Sequence, residues 1–523
     1  MTTPVSGAIS FSDLKQEWGD SSPTSLSEFY AGGTYVASDS GIASSGTLSL
    51  SNYRNKTNMF LTKFNPPESN ANNIIIVSSA LDSSNNLIVA GYEKISQFPN
   101  TVNFIMSTNN GGLINWKTSF YNSGYAYLSY GVNLPFVSIA SDTTGNTHAV
   151  GSGRDSSNWY VTYKKFDTSG NLLLNKRFPN YRQAAVYQSF ITTTPSGNVY
   201  IASSDVYSFA NEFDVYKLSS TGTQQWMNFY STAMTPSKIV SDSSENLFVI
   251  GNSSASTVLT PKIAKISSSG TCLWVKNLFL GDAFNNFYSN FWSGAVDPTG
   301  NVFVIGSNAS NPGSSGNQDP MVIKFDTNGN VLWQKKMTYA YNYANGVKNF
   351  SSEQSGRTLL NGYLTPYTGG DVTVDSTGNY LLIALKDGSI MRMDVLNGNL
   401  SNVQALYTTS LPAGGYPIAK IITKSSGELY VITSAAFIGS TGNTVVNIRK
   451  TSQTLSFPVG NTFTLGNYTV KEDSANVTLT STSFTVNTIT NFTTTSFTRT
   501  LNDTTGDSTN LCNVTIVTTH NSY

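Results

Sequence analysis

Charged residues are scarce in this chain of 523 residues: Asp, Glu, Lys and Arg together make up 11%, against about 25% in an average soluble domain. With 39% hydrophobic residues beside them, that scarcity excludes a disordered polyelectrolyte. Neither sign is in excess, with 30 basic and 30 acidic residues, so no cationic surplus exists to neutralise a phosphate backbone, and no nucleic acid is expected as a partner. Cysteine is nearly absent. Cys272 and Cys512 are too few and too far apart for a disulfide framework, show no metal-ligand spacing, and are read as free thiols. No apolar run reaches the ~18 residues of a membrane span, and the opening Met1-Thr2-Thr3-Pro4-Val5-Ser6-Gly7 lacks the basic and apolar regions of a signal peptide. A soluble protein made in the cytoplasm, without membrane insertion, is expected.

What the chain does have is 42 Gly, 28 Tyr and 28 Phe among abundant Ser, Thr and Asn, the residues of short strands and tight turns. It also repeats itself. Asp82-Ser83-Ser84-Asn85-Asn86-Leu87-Ile88-Val89-Ala90-Gly91 returns from Asp142 to Gly151, from Asp242 to Gly251 and most clearly from Asp297 to Gly306, with weaker copies from Thr194, Asp375 and Lys424. The seven starts lie on average 57 residues apart. A second signature follows each copy: Lys265-Ile266-Ser267 with Gly270 and Trp274, Lys324-Phe325-Asp326 with Gly329 and Trp333, and Lys217-Leu218-Ser219 with Gly222 and Trp226. Lys165 and Gly170 end in Leu174, and Gly112 with Trp116 keeps the second half only.

Asp or Ser at the first turn position bonds the backbone ahead of it, and Gly or Asn supplies the positive φ of a tight hairpin. Each unit is thus a four-stranded meander that cannot bury both faces alone, and radial packing of such units is the way out. The repeats resemble the bacterial β-propeller repeats built on Asp-x-x-Gly-Asn hairpins, from about Phe60 to Pro458, and the fold expected is all-β, a seven-bladed β-propeller over 58–458. Lys63-Phe64-Asn65 precedes the first hairpin without one of its own; it is expected to pair with the last blade and close the ring, the alternative being an ordinary lead-in strand.

Residues 1–57 do not follow the repeat. Three Ser-led echoes stand there, Ser10-Phe11-Ser12-Asp13-Leu14, Ser25-Leu26-Ser27-Glu28-Phe29-Tyr30 and Ser49-Leu50-Ser51-Asn52-Tyr53, and Ser25 with Glu28 has capping-box spacing. Three short helical turns with too little core to fold alone are expected. With Gly7-Ala8-Ile9, Ala31-Gly32-Gly33 and Ser45-Gly46-Thr47-Leu48 flanking them, these blocks resemble the N-terminal module of tail and fibre proteins of marine, cyanobacteria-infecting bacteriophages. The resemblance implies a virion structural protein of the tail or baseplate, made in the host cytoplasm and present in multiple copies. Phe11, Leu14, Leu26, Phe29, Tyr30, Leu50 and Tyr53 would dock it onto other tail proteins. The function expected is host-surface recognition, the alternative being a purely structural decoration or connector protein.

From 459 to 523 the repeat gives way to Thr alternating with Val, Ile, Leu or Phe, as in Val477-Thr478-Leu479-Thr480 and Val514-Thr515-Ile516-Val517. This period of two marks strands, which could form a short β extension, lie on the last blade or pair between copies. For chemistry, the Asp-x-x-Gly-Asn loops offer one carboxylate each where calcium takes six to eight oxygens, so they are read as turns and no metal or cofactor is expected. His148 falls at an interior strand position and is read as packed. No nucleophile elbow, Walker loop or His-Glu-x-x-His is present. No catalytic residue is assigned; a propeller depolymerase would have to use scattered loop carboxylates such as Asp282, Asp319, Glu353 or Asp371. In a meander the tight turns share one face of the disc and the long connections the other. Aromatics cluster on the long connections, and Tyr125, Tyr127, Phe287, Tyr288, Trp292, Tyr341, Tyr343 and Tyr367 are the candidate contacts for a low-charge host glycan or a protein loop.

Overall fold

The computed structural model describes residues 61–64, most of 73–455 and seven strand segments between 462 and 517; residues 1–60 and most of the long connections lie outside the described residues. In the first repeat Asn73–Leu81, Leu87–Lys94, Thr101–Thr108 and Ile114–Tyr121 pair antiparallel in sequence order. The same meander recurs at 136–179, 186–230, 235–279, 290–339 and 370–408, giving blades two to six. Blade seven takes Gly415–Thr423, Glu428–Phe437 and Val446–Ser452 from the last repeat and Leu61–Phe64 as its fourth strand, with Leu61 opposite Arg449 and Phe64 opposite Val446. The expected closure through Lys63 and Phe64 is therefore present. The molecule is a seven-bladed β-propeller.

The second strand of each blade shows why units of this kind pack radially. Leu247 and Val249 turn towards blade three, while Phe248 and Ile250 turn towards blade five, and all four are fully buried. A strand covered on both faces reads as a continuous apolar run rather than an alternating one. Each such side chain contributes about 1.5–3 kcal/mol through burial. Blades seven and one join in the same way, Tyr430, Ile432 and Ile448 packing on Leu87, Val89 and Phe104.

First strands line the inner edge of the ring. In blades one to five each carries a bulge, as between Ile76 and Ser78 or between Phe291 and Ser293, which re-aims its side chains. Ser78 Oγ accepts the N–H of Ile139 at 3.1 Å and Ser138 Oγ that of Ile191 at 3.3 Å, so inner edges are bonded blade to blade.

The Thr-rich segment forms strands as expected; its last described strand lies on the last blade, one of the three sequence-based alternatives, while the rest are spread over other blades as none of the three describes. Tyr468–Ser474 adds a fifth strand to blade six, Val477–Ser481 to blade five, Thr485–Thr488 to blade four, Thr494–Ser496 to blade three and Asn502–Asp503 to blade two. Ile516–Val517 then pairs with Leu61–Phe64 on blade seven. The tail runs round the rim against the order of the blades, covering outer edges that would otherwise present unpaired backbone groups.

Candidate functional site

The Asp-x-x-Gly-Asn loops join first to second strands. In blade two the N–H groups of Thr144 and Asn146 donate to Asp142 Oδ1 at 3.0 and 2.9 Å, and Asn146 Nδ2 donates to Oδ2 at 3.0 Å. Asp242 and Asp297 hold their turns alike. The carboxylate oxygens that a cation would take are thus engaged by the loop itself. Among the described residues no group of three or more His, Cys, Asp or Glu is placed to hold a metal ion.

The Lys and Trp of the second signature meet at one atom of the next blade. Lys265 Nζ and Trp274 Nε1 donate to the carbonyl of Thr327 at 2.9 and 3.2 Å; Lys324 Nζ and Trp333 Nε1 donate to that of Val395 at 3.1 Å each; Lys217 Nζ and Trp226 Nε1 donate to that of Ser268 at 3.2 Å each. The lysine also stands 5.1 Å over the ring of Phe248 in blade four and 5.2 Å over that of Phe303 in blade five, a cation–π contact in a desolvated site. Its own blade supplies the counter-charge, Asp242 at 3.8 Å and Asp297 at 3.6 Å. The tryptophan then lies over the glycine of the receiving turn: a Cβ on Gly329, at φ +80°, would come within 3.0 Å of Trp274. Glycine is needed there both for its conformation and for the room. Lys, Trp and Gly together form an interblade clamp.

Blades two, three and seven vary the charged part of this scheme. In blade two His148 replaces the ring under the lysine and is wholly buried, its Nε2 3.0 Å from Asp142 Oδ2 and its Nδ1 2.8 Å from Tyr163 Oη. Burial lowers its pKa more than Asp142 raises it, so the imidazole is neutral. Burial would raise the Asp142 carboxyl, yet hydrogen bonds from His148, Thr144 and Asn146 hold it well below the usual range. This is a packed histidine, as expected. Blade three has Thr194 where five other blades have Asp, and its carboxylate comes from blade four: Glu245 accepts from Thr194 Oγ1 at 3.0 Å, Asn198 Nδ2 at 3.0 Å and Tyr200 Oη at 3.2 Å, as well as from Ser196 Oγ. Glu245 does this from a glycine-type position at φ 61°. In blade seven the charges are exchanged, Lys424 standing in the Asp position and Glu428 in the Asn position, with Glu428 3.1 Å from Lys424 and 3.4 Å from Lys450.

One charged cluster lies outside the repeat scheme, on the inner edge. Asp371, in the first strand of blade six, is buried and accepts from Ser293 Oγ of blade five at 2.8 Å and from the N–H of Ile421 of blade seven at 3.4 Å. Burial opposes its charge, but Lys420 and Lys238 prevail and keep its pKa low; burial and Lys238 in turn lower that of Lys420.

The tight turns join first to second and third to fourth strands of the blades, so they share one face as the meander requires, while most of the long connections lie outside the described residues. Of the aromatic candidates, Trp292 needs correction. It lies in the strand Asn290–Val296 and is 4% exposed, packed with Met337 and Val372 between blades five and six; the bulge at this point turns an apparent loop residue into core. Tyr343 sits in the short strand Asn342–Tyr343. Tyr125, Tyr127, Phe287, Tyr288, Tyr341 and Tyr367 lie outside the described residues, as do the docking candidates Phe11, Leu14, Leu26, Phe29, Tyr30, Leu50 and Tyr53. Among the carboxylates named for catalysis, Asp371 and Asp319 are strand residues rather than loop residues, and Asp282 and Glu353 lie outside the described residues. Cys272 is a buried free thiol whose pKa burial pushes up to about 12. The clamp is the feature that residue-by-residue reading missed; Lys and Trp nine residues apart in three repeats, paired across a hairpin, were the available signal.

No family model and no curated protein matches the chain. Solved structures do. The α-L-arabinofuranosidase Arb93A of Fusarium graminearum is similar over 76% of this chain and 99% of its own, at 10% identity and a TM-score of 0.43. The WD40 domain of Neurospora crassa Pan2 is similar over 74% and 95%, at 10% identity and a TM-score of 0.40. BamB of Moraxella catarrhalis is similar over 72% and 84%, at 13% identity and a TM-score of 0.32.

Proposed function

We propose that this chain is a structural connector or decoration protein of a phage tail or baseplate, a rigid platform joined to other virion proteins through residues 1–57. The observation that carries the reading is the use made of the repeated polar groups. Lys217, Lys265 and Lys324, with their tryptophans, bond to the next blade, and a strapped, clamped ring is suited to bearing and displaying rather than to cycling through conformations. The virion setting rests on the resemblance of the three N-terminal blocks to tail modules. Host attachment through the aromatic long connections is the second reading, supported by the concentration of Tyr and Phe in 121–130, 284–288 and 339–367.

Gold-labelled antibody against the propeller, applied to intact particles, is expected to mark the tail or baseplate, and a chain lacking 1–57 is expected to be missing from particles. Particles without label overturn the virion reading. Purified protein mixed with host envelope polysaccharide separates the roles: a connector neither binds nor cleaves, an attachment protein binds, and a depolymerase releases new reducing ends.

A further inference from the structure

The tail does not step round the rim at random. In each covered blade, consider the fourth-strand residue three positions after the one that faces the clamp lysine or its equivalent. In blades six to two these residues are Ala405, Lys336, Asn277, Phe229 and Arg177, and their tail partners are Asp473, Thr480, Asn487, Thr495 and Asn502. The partners therefore advance by seven, seven, eight and seven residues per blade. The next described pair joins Val517 to Lys63, the equivalent position of blade seven, after fifteen residues. Fifteen is two steps, and the position passed over is blade one. Among the described residues, blade one has four strands, and no strand is paired to the outer side of Ile114–Tyr121.

We propose that the outer edge of blade one is the docking site for residues 504–515 of the same chain, which complete the strap with Thr509 or Asn510 opposite Ser119. Three observations converge on this occupant. Chain continuity brings the tail from blade two to blade seven, and blade one is the blade between them. The number of residues provided matches two of the tail's own steps. The sequence from Ser508 to Thr515, Ser-Thr-Asn-Leu-Cys-Asn-Val-Thr, has the Thr and Asn character of the strands on the other blades and contains no proline to break a ladder. A strand edge without a described partner, beside six covered ones, is also the kind of surface that recruits an extended segment.

Engineered disulfides test the pairing, because opposed residues of antiparallel strands have Cα atoms ~4.5–5.5 Å apart, within disulfide reach. In the full chain carrying Cys512→Ser, Ser119→Cys is combined with Thr509→Cys in one variant and with Asn510→Cys in another. Asn277→Cys with Asn487→Cys, a pair already opposed on blade four, serves as the control. The expected result is an intramolecular disulfide in one of the two variants, mapped by peptide mass spectrometry in monomeric protein. A disulfide formed only between chains assigns the edge to a second copy and overturns the proposal, as does no disulfide in either variant while the control forms. A second measurement avoids the cysteines. In the otherwise unaltered chain carrying Asn510→Pro, backbone amides of 114–121 are expected to exchange deuterium at least tenfold faster than in the parent, while those of the fourth strands of blades three to five are unchanged. Equal exchange at 114–121 in both proteins overturns it.

Discussion

Replacing Glu245 with glycine is expected to destabilise the ring even though it removes a residue held at a positive φ. A non-glycine residue in the left-handed region costs about 1–2 kcal/mol, and Glu245 sits at φ 61° where equivalent turns have Gly145, Gly197, Gly300 and Gly378. Against that gain stands the loss of the carboxylate that serves the blade-three turn. Tyr200 is fully buried and Thr194 nearly so; leaving a buried donor without its charged acceptor costs about 1–3 kcal/mol for each group. Lys217, 3.9 Å from Glu245, loses its counter-charge as well. Asn198 and Ser196 recover water, so the balance is a loss of roughly 2 kcal/mol. Thr194→Asp alone is also expected to destabilise, because it sets a second carboxylate beside Glu245 at the site where Thr194 Oγ1 now lies 3.0 Å away. The two changes together rebuild the pattern of blades two and five, an Asp in its own turn and a Gly behind it, and are expected to bring stability back to the parent value or above. A double-mutant cycle read by chemical denaturation should therefore show a coupling of about 2 kcal/mol or more. Hydrogen bonds from Ser196, Asn198, Thr194 and Tyr200 overcome burial and lower the Glu245 pKa. Its contribution is thus present above the unfolded carboxyl pKa and lost as pH falls, and the gap between parent and E245G should narrow below about pH 4. Additive effects, or an E245G variant more stable than the parent, would refute the exchange of carboxylate between blades.

His148 is neutral when buried, with its pKa below the unfolded value of about 6.5, so its contribution is intact above that pH and lost as pH falls through it; His148→Phe, the residue of blades four and five, should flatten the pH dependence of the melting temperature between about pH 6.5 and 5. Gly329→Ala and Gly427→Ala separate conformation from contact: both glycines have φ of +80° or more, but a Cβ on Gly329 would lie 2.6 Å from Lys276 and 3.0 Å from Trp274, whereas one on Gly427 meets nothing within 4 Å. The backbone cost of about 1–2 kcal/mol is common to both, so G329A should lose a further 1–3 kcal/mol or so, and equal losses in thermal or denaturant melts would refute the packing role of the clamp.

The blades were legible because their determinants are local. Asp142 to Asn146 and Asp297 to Asn301 bond within five residues, and such turns reappear wherever the repeat does. Trp292 was misplaced because a bulge breaks the two-residue period by which core and surface are told apart. The carboxylate lent by Glu245 could not be read at all. Its partners are about fifty residues away, and Thr194 looked like a weak copy rather than half of a complementary pair. The tail was recognised as strands, since alternation is local, but its distribution over six blades depends on edges that exist only once the ring has formed.

The order in which the fasteners can form follows from what each one needs. A tight turn needs only its own hairpin, and a clamp such as Lys265 and Trp274 on Thr327 needs two adjacent blades. Leu61–Phe64 needs blade seven, nearly four hundred residues later in the chain, and loop-closure entropy makes that contact late. The strap comes last, because each of its short segments finds an edge only on a completed blade, and because Val517 pairs with Lys63 on the very strand that closes the ring. The tail therefore fastens the closure from outside: Leu61–Phe64 lies between Val446–Ser452 and Ile516–Val517, held on both sides by strands from the far end of the chain. A segment so held cannot leave blade seven without releasing the end of the strap. Force applied through residues 1–57, which adjoin that strand, is thus borne first by hydrogen bonds on both of its edges, where a four-stranded blade would offer one.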